Sequence, residues 1–253
     1  ANTTGANNVA IGQNALETNT TASNNTAIGH RSLQTNATGA SNTAVGGAAL
    51  VSNTTGTQNT SVGFESGLDI TTAEQITVTG NSAGRQITTG NGNTFFGSSA
   101  GCNVTTGNQN VAVGVNAGID AVRDLTGSCT GNIVIGNNAS VAAYIKIDWT
   151  VTSDLRDKTE IKNVKHGLDF VNQITPIEYR FKTSREDDTP HGNKKYGFKA
   201  QEILELEGDN PVIINNEDKE NLKLTSAHLV PVLVNAIKEL KAENDSLKTR
   251  IEA

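Results

Sequence analysis

A 17-residue period governs the first 140 residues of this chain. Glycine recurs at Gly12, Gly29, Gly46, Gly63, Gly80, Gly97 and Gly114, and threonine keeps the same step from Thr4 to Thr106. Asparagine follows it at Asn8, Asn25, Asn42, Asn59, Asn93 and Asn110, with Ile76 breaking the series once. An eighth copy is looser, because Gly136 follows Gly114 by 22 residues. A short fixed period means stacked units, none of which can bury its own apolar face. Units this short do not match the common helical repeats; they suit a rung of two short strands and two turns. The step Ile11, Ile28, Val45, Val62, Phe96, Val113 is expected to form one inward column. Leu16, Leu33 and Leu50 form another, which switches to Gly84, Gly101 and Gly118. Stacked Asn and Thr side chains can hydrogen-bond up such a ladder, and glycine supplies turns that need positive φ.

Composition places a boundary after residue 152. Residues 153–253 hold 16 of the 20 basic and 19 of the 26 acidic residues, all four prolines, and only four of the 25 glycines. The net charge is −6 without a basic run, which argues against a phosphate-backbone partner, so no nucleic acid is expected. No stretch approaches the ~20 apolar residues needed to cross a bilayer, so no membrane insertion is expected. Cys102 and Cys129 have no metal-ligand neighbours at suitable spacing, leaving a disulfide between them open; no metal or cofactor is expected. Methionine is absent, so residue 1 is expected to follow further upstream sequence.

The expected domains are a repetitive β fibre over 1–140, a connecting strand over 141–152 and a separate domain over 153–253. Val141 to Thr152 alternates, with Ile145, Ile147, Trp149 and Val151 on one face, as a half-buried strand does. Leu168 to Lys182 reads as a short amphipathic helix that turns at Pro176 into a strand, and Tyr196 to Ile203 as the opening of a helix. At the end, Leu233, Ile237, Leu240, Asn244, Leu247 and Ile251 step 4, 3, 4, 3, 4, the a/d seam of a coiled coil. Asn244 in that seam would fix register at some cost in stability.

Ser153-Asp154-Leu155-Arg156-Asp157-Lys158 opens the last domain, Gly197-Phe198-Lys199-Ala200-Gln201-Glu202 lies within it, and Ala236-Ile237-Lys238-Glu239-Leu240 stands near its end. In that order these motifs resemble the C-terminal intramolecular chaperone of phage tail fibres and endosialidase-type tailspikes. Asp157 departs from the pattern, which more often has an apolar residue there. The first part resembles the shafts of trimeric adhesins and viral fibres, through Asn8-Val9-Ala10-Ile11-Gly12 and Asn25-Thr26-Ala27-Ile28-Gly29. The fold class so implied is a mainly β N-terminal part, a β-solenoid or an intertwined trimeric fibre, followed by an α+β chaperone domain ending in a trimeric coiled coil. The resemblance implies a homotrimer in the virion tail fibre, a host cell-surface receptor of polysaccharide type, and autocleavage at Thr152–Ser153 that releases the chaperone. A cellular trimeric surface adhesin, or a tailspike whose polysaccharide-degrading domain lies upstream, are the alternatives.

The same resemblance makes Ser153 the nucleophile and Lys158 the general base. Serine attacks only once a base takes its proton. A lysine acts as that base only when neutral, and from the reference value of about 10.4 this needs a depression of roughly three units, about 4 kcal/mol. Burial or a nearby cation supplies it, and Arg156 is the local cation; Asp154 and Asp157 oppose it unless they point elsewhere. A spacing of five puts two side chains about 140° apart on a regular helix. The segment must therefore bend, or the pair must form between chains. Asp154, Gln201 and Glu202 are the supporting candidates, to polarise the carbonyl or orient Lys158.

Overall fold

The computed structural model describes residues 2–119, 124–140, 143, 144, 146, 151–183 and 185–252. It divides into two compact units, Ala1–Ser140 and Val141–Ala253.

In the first unit each repeat contributes one three-residue strand: β1 (Val9–Ile11), β2 (Thr26–Ile28), β3 (Thr43–Val45), β4 (Thr60–Val62), β5 (Thr77–Thr79), β6 (Thr94–Phe96), β7 (Val111–Val113) and β8 (Ile133–Ile135). Each pairs in parallel with the next strand of its own chain, Ala27 opposite Ala44 and so on, and Val111 faces Ile133 across the longer last step. Of the two arrangements the period allows, this is the solenoid. The rung has one strand and not the expected two. The remainder is turn, with left-handed backbone at repeated positions such as Asn24, Arg31 and Leu33 (φ 63°, 59° and 47°). Gly29, Gly46, Gly63 and Gly80 adopt φ of 133–135°, a region only glycine enters readily. A Cβ on Gly46 would also collide with the Gly63 carbonyl of the rung above.

The inward column is not the expected one. Ile11, Ile28, Val62, Phe96 and Val113 are 59, 37, 37, 45 and 40 % exposed. The residue before each faces in: Ala27, Ala44, Ser61, Val78, Phe95 and Ala112 are all fully buried. Successive side chains on a strand point to opposite faces, and both phases of this sequence read as apolar. The cross-section decides between them, since the inside of a rung this narrow takes Ala or Ser at most levels.

The core then trades volume along its length. Where the strand residue is Ala27 or Ala44, Leu33 and Leu50 fill the interior beside buried Asn36 and Asn53. Where it grows to Val78 and Phe95, the leucine position becomes Gly84 and Gly101, and the asparagine position becomes Ile87 and Val104. This conserves packed volume, which interiors require. The Leu-to-Gly switch begins at Gly67, where the strand residue is still Ser61 and a Cβ would stand 2.8 Å from Ile70 Cδ1; farther along, one on Gly84 would stand 2.7 Å from Val78 Cγ1, and one on Gly101 2.5 Å from the Phe95 ring. Gly101→Ala, at φ 58°, is therefore expected to destabilise the solenoid by about 2 kcal/mol, read as a lower urea midpoint.

Buried asparagines stitch the rungs together. Asn42 Nδ2 donates to Gly56 O (2.8 Å) and Asn42 Oδ1 accepts from Asn59 N (3.0 Å), a pattern repeated at Asn25 and Asn59. A second column runs Asn53 Nδ2 to Asn36 Oδ1 (2.7 Å). It ends at Asn53 Oδ1, which is buried without a hydrogen-bond partner because the next rung has Ile70 there. Cys102 and Cys129 are free thiols, and burial pushes the Cys102 thiol up.

The second unit is α+β. Helix α1 (Leu168–Gln173) leads through Pro176 to β9 (Ile177–Lys182), which pairs antiparallel with β10 (Pro190–Gly197). Helix α2 (Ala200–Glu207), the short antiparallel pair β11 (Ile214–Asn215) and β12 (Lys223–Leu224), and helix α3 (Leu229–Glu252) follow. Phe170, Ile203, Ile213, Ile214, Leu229 and Val232 form its core. Pro231 lies in the first turn of α3, where a missing N–H costs little. The expected connecting strand falls largely outside the described residues; Val151 and Thr152 are irregular and exposed.

Helix α3 has two apolar faces. Leu229, Val232 and Ala236 are buried against the unit's own core. Beyond them Asn235 Nδ2 donates to Val164 O (3.1 Å), and Glu239 Oε2 accepts from Leu168 N (2.6 Å). Glu239 so serves as the cap that Gly167 cannot offer to the start of α1. Glu239→Ala is expected to cost about 1–2 kcal/mol, seen as loss of α1 from the folded baseline in urea titrations of uncut chain.

Candidate functional site

The junction motif folds as a single 3-10 turn, Leu155–Asp157, between two extended residues. Asp154, at φ −64° and ψ 137°, caps it: its Oδ1 accepts from Arg156 N at 2.9 Å. Lys158 N closes the turn on Leu155 O at 3.2 Å, and Lys158 is again extended (φ −116°, ψ 141°). The short side-chain oxygen of an Asp at this position is suited to such a cap. The turn reverses the chain between positions 153 and 158, and Lys158 Nζ donates to Ser153 Oγ at 2.8 Å. The bend that five-residue spacing demanded is present, and the pair meets within one chain.

Around that pair the charges are already matched. Arg156 grips Asp154 through Nη2 to Oδ2 (2.6 Å) and Nε to Oδ1 (3.1 Å). The guanidinium holds the Asp154 carboxyl below the usual carboxylate range, and Asp154 raises Arg156 in turn. Arg156, the expected local cation, thus has its charge engaged by Asp154. Ser153, Lys158 and Thr152 are all exposed on the chain.

Of the supporting candidates, Asp154 caps the junction turn, while Gln201 and Glu202 lie on α2. Gln201 is exposed in the first turn of α2. Glu202 accepts from Thr175 Oγ1 at 3.0 Å through Oε1, while Oε2 is buried with no hydrogen-bond partner. Seam residues Leu233, Ile237, Leu240, Leu247 and Ile251 are 44 to 83 % exposed on α3, with Asn244 exposed among them. His166 packs on Phe170 with ring centroids 4.2 Å apart, and His228 Nδ1 lies 2.7 Å from Val212 O; both are packing histidines. The cap contributed by Glu239 escaped sequence reasoning, because 71 residues separate it from Leu168 and no local motif signals it.

Among the described residues no group of three or more His, Cys, Asp or Glu gathers to hold a metal ion, and no helix is long and apolar enough to cross a membrane. No curated protein and no solved structure matches the chain. Residues 153–210 match the family model described as chaperone of endosialidase, beginning at the serine whose hydroxyl Lys158 holds. This stretch of the second unit is therefore a chaperone domain of the endosialidase type.

Proposed function

We propose that the chain is the distal part of a phage tail fibre, a homotrimer that binds a host-surface polysaccharide, and that its second unit aligns three copies and then cuts itself away at Thr152–Ser153. The observation that carries this reading is the 2.8 Å bond between Lys158 Nζ and Ser153 Oγ, at the start of the matched family region. In the proposed reaction neutral Lys158 takes the Ser153 hydroxyl proton. Oγ bonds to the Thr152 carbonyl carbon, the Thr152–Ser153 C–N bond breaks, and the leaving amine takes up the proton from Lys158. Water then hydrolyses the ester, leaving a carboxylate on Thr152 and restoring the Ser153 hydroxyl. The dyad is exposed on the single chain. Burial penalises charge, so covering the pair in an assembled trimer favours the uncharged amine and ties cutting to assembly.

The free seam of α3 supports the trimer: its a/d side chains are exposed while the helix's other face is anchored in the unit. A trimeriser suits a stacked repeat. Between copies, rungs of near-identical sequence can meet in registers of similar energy, and holding three chains in step removes those alternatives. Denaturing gels test the reading. The wild-type chain is expected to run as fragments of 152 and 101 residues and Ser153→Ala as 253. Wild-type and Ser153→Ala chains that both run at full length would overturn it.

A further inference from the structure

The outward face of the solenoid sheet carries an exposed apolar stripe. Ile11, Ile28, Val62, Phe96, Val113 and Ile135 stand one above another, each 37 to 67 % exposed. Only Thr79 interrupts the column, and the adjacent strand column is Thr from Thr26 to Thr94. No charged residue occupies a strand position on any of the eight rungs; Glu17, Arg31, Glu65 and Arg85 all lie on turns. Charge depletion around an apolar centre is the composition of an interface core.

We infer that this stripe is the seam along which three copies of the solenoid pack on one another, stripe to stripe about an axis parallel to the stack. The inference rests on the trimer reading above and assigns it a surface in the first unit. The occupant follows from the period. Stripe side chains repeat at the strand spacing of about 4.8 Å, and a second copy carries the same repeat in the same direction, so every rung meets an equivalent rung. Seven spacings give a strip about 34 Å long and roughly 10 Å wide, or on the order of 340 Å² per copy. Three copies bury on the order of 1,000 Å² in all, about 340 Å² for each pair, which is too little to hold two copies together unaided. A surface of that size works best between copies already gathered, and the α3 seam on the same chain raises their effective concentration.

The test uses the uncut Ser153→Ala chain with Cys102→Ser and Cys129→Ser, a single new cysteine and a short bismaleimide. Val62→Cys places the thiol on the stripe, and Gln86→Cys places it on an exposed turn half a rung away. Both are expected to have trimer mass by light scattering, with a cross-linked dimer band on denaturing gels from Val62→Cys alone. Should Val62→Cys not fold, Thr79→Cys repeats the test one rung on in the same column. A trimer with unlinked stripe thiols leaves the face to another occupant and overturns the inference while the trimer stands. Equal linking at Gln86 overturns it too. A monomer that does not link removes the trimer reading as well.

Discussion

Chains carrying Ser153→Ala and chains carrying Lys158→Met, co-expressed and co-assembled, are expected to remain uncut. Each lacks one half of the dyad and each retains the half that the other lacks. If the pair formed between neighbouring subunits, mixing would rebuild a complete site and the chain that keeps Ser153 would be cleaved. The bond of 2.8 Å from Lys158 Nζ to Ser153 Oγ lies within one chain, so mixing restores nothing. Each single variant is expected to lose at least about 10³-fold in cleavage rate, as removal of a nucleophile or its base does in enzymes that use such a pair. The readout is the fraction of 253-residue chain on a denaturing gel against time. Fragments from the mixture, absent from either variant alone, would show that the dyad is shared. Mixtures of wild-type and Ser153→Ala chains complete the comparison: wild-type subunits should be cut and variant subunits spared in the same trimers.

Phe95→Ala is expected to be the most damaging substitution in the solenoid, costing about 3–5 kcal/mol. Phe95 is the largest fully buried side chain among the described residues, and its ring fills space left by Gly84 and Gly101. Alanine there leaves a cavity that those two glycines cannot close. Each rung contacts only its neighbours, so the loss falls on the interfaces of β6 with β5 and β7 and weakens coupling between the two halves of the stack. Urea titration should show a lower midpoint and a broader transition. Phe96→Ala is the internal comparison. Its side chain points outward, so it removes no core atom and is expected to cost at least about 2 kcal/mol less. A larger cost at Phe96 than at Phe95 would mean that the strand phase is reversed.

The phase of those strands is where sequence reasoning failed, and the reason is physical. Periodicity tells inside from outside only when one phase is apolar and the other polar. Here Ala-Ile, Ala-Val and Phe-Phe pairs occupy both phases, and the bulkier column was expected inside. The interior of a 17-residue rung has room for small side chains, with larger ones admitted only where glycine yields space. The bulky column outside is then a surface that needs a cover. The dyad shows the converse: Ser153 and Lys158 were legible from the motif, but spacing alone left open whether they meet in one chain or across two. The Asp154-capped turn brings the two side chains together in a single chain. On α3, the heptad read from sequence matches a free face, while the anchoring face of Leu229, Val232 and Ala236 became visible only with the unit's core.

The amino-acid order by itself determined the repeat, its register and the turns. A step of 17 leaves one pairing in which the glycines from Gly12 to Gly114 meet one another, and left-handed positions demand residues that tolerate them. It also carries the change of composition from a nearly uncharged array to a charged segment, and the motif that opens that segment. Tertiary structure alone decided which strand face is core, how Leu and Asn give way to Gly and Ile along the stack, and that Glu239 caps a helix 71 residues away. These depend on volume and on groups remote in sequence, and neither leaves a local pattern to read.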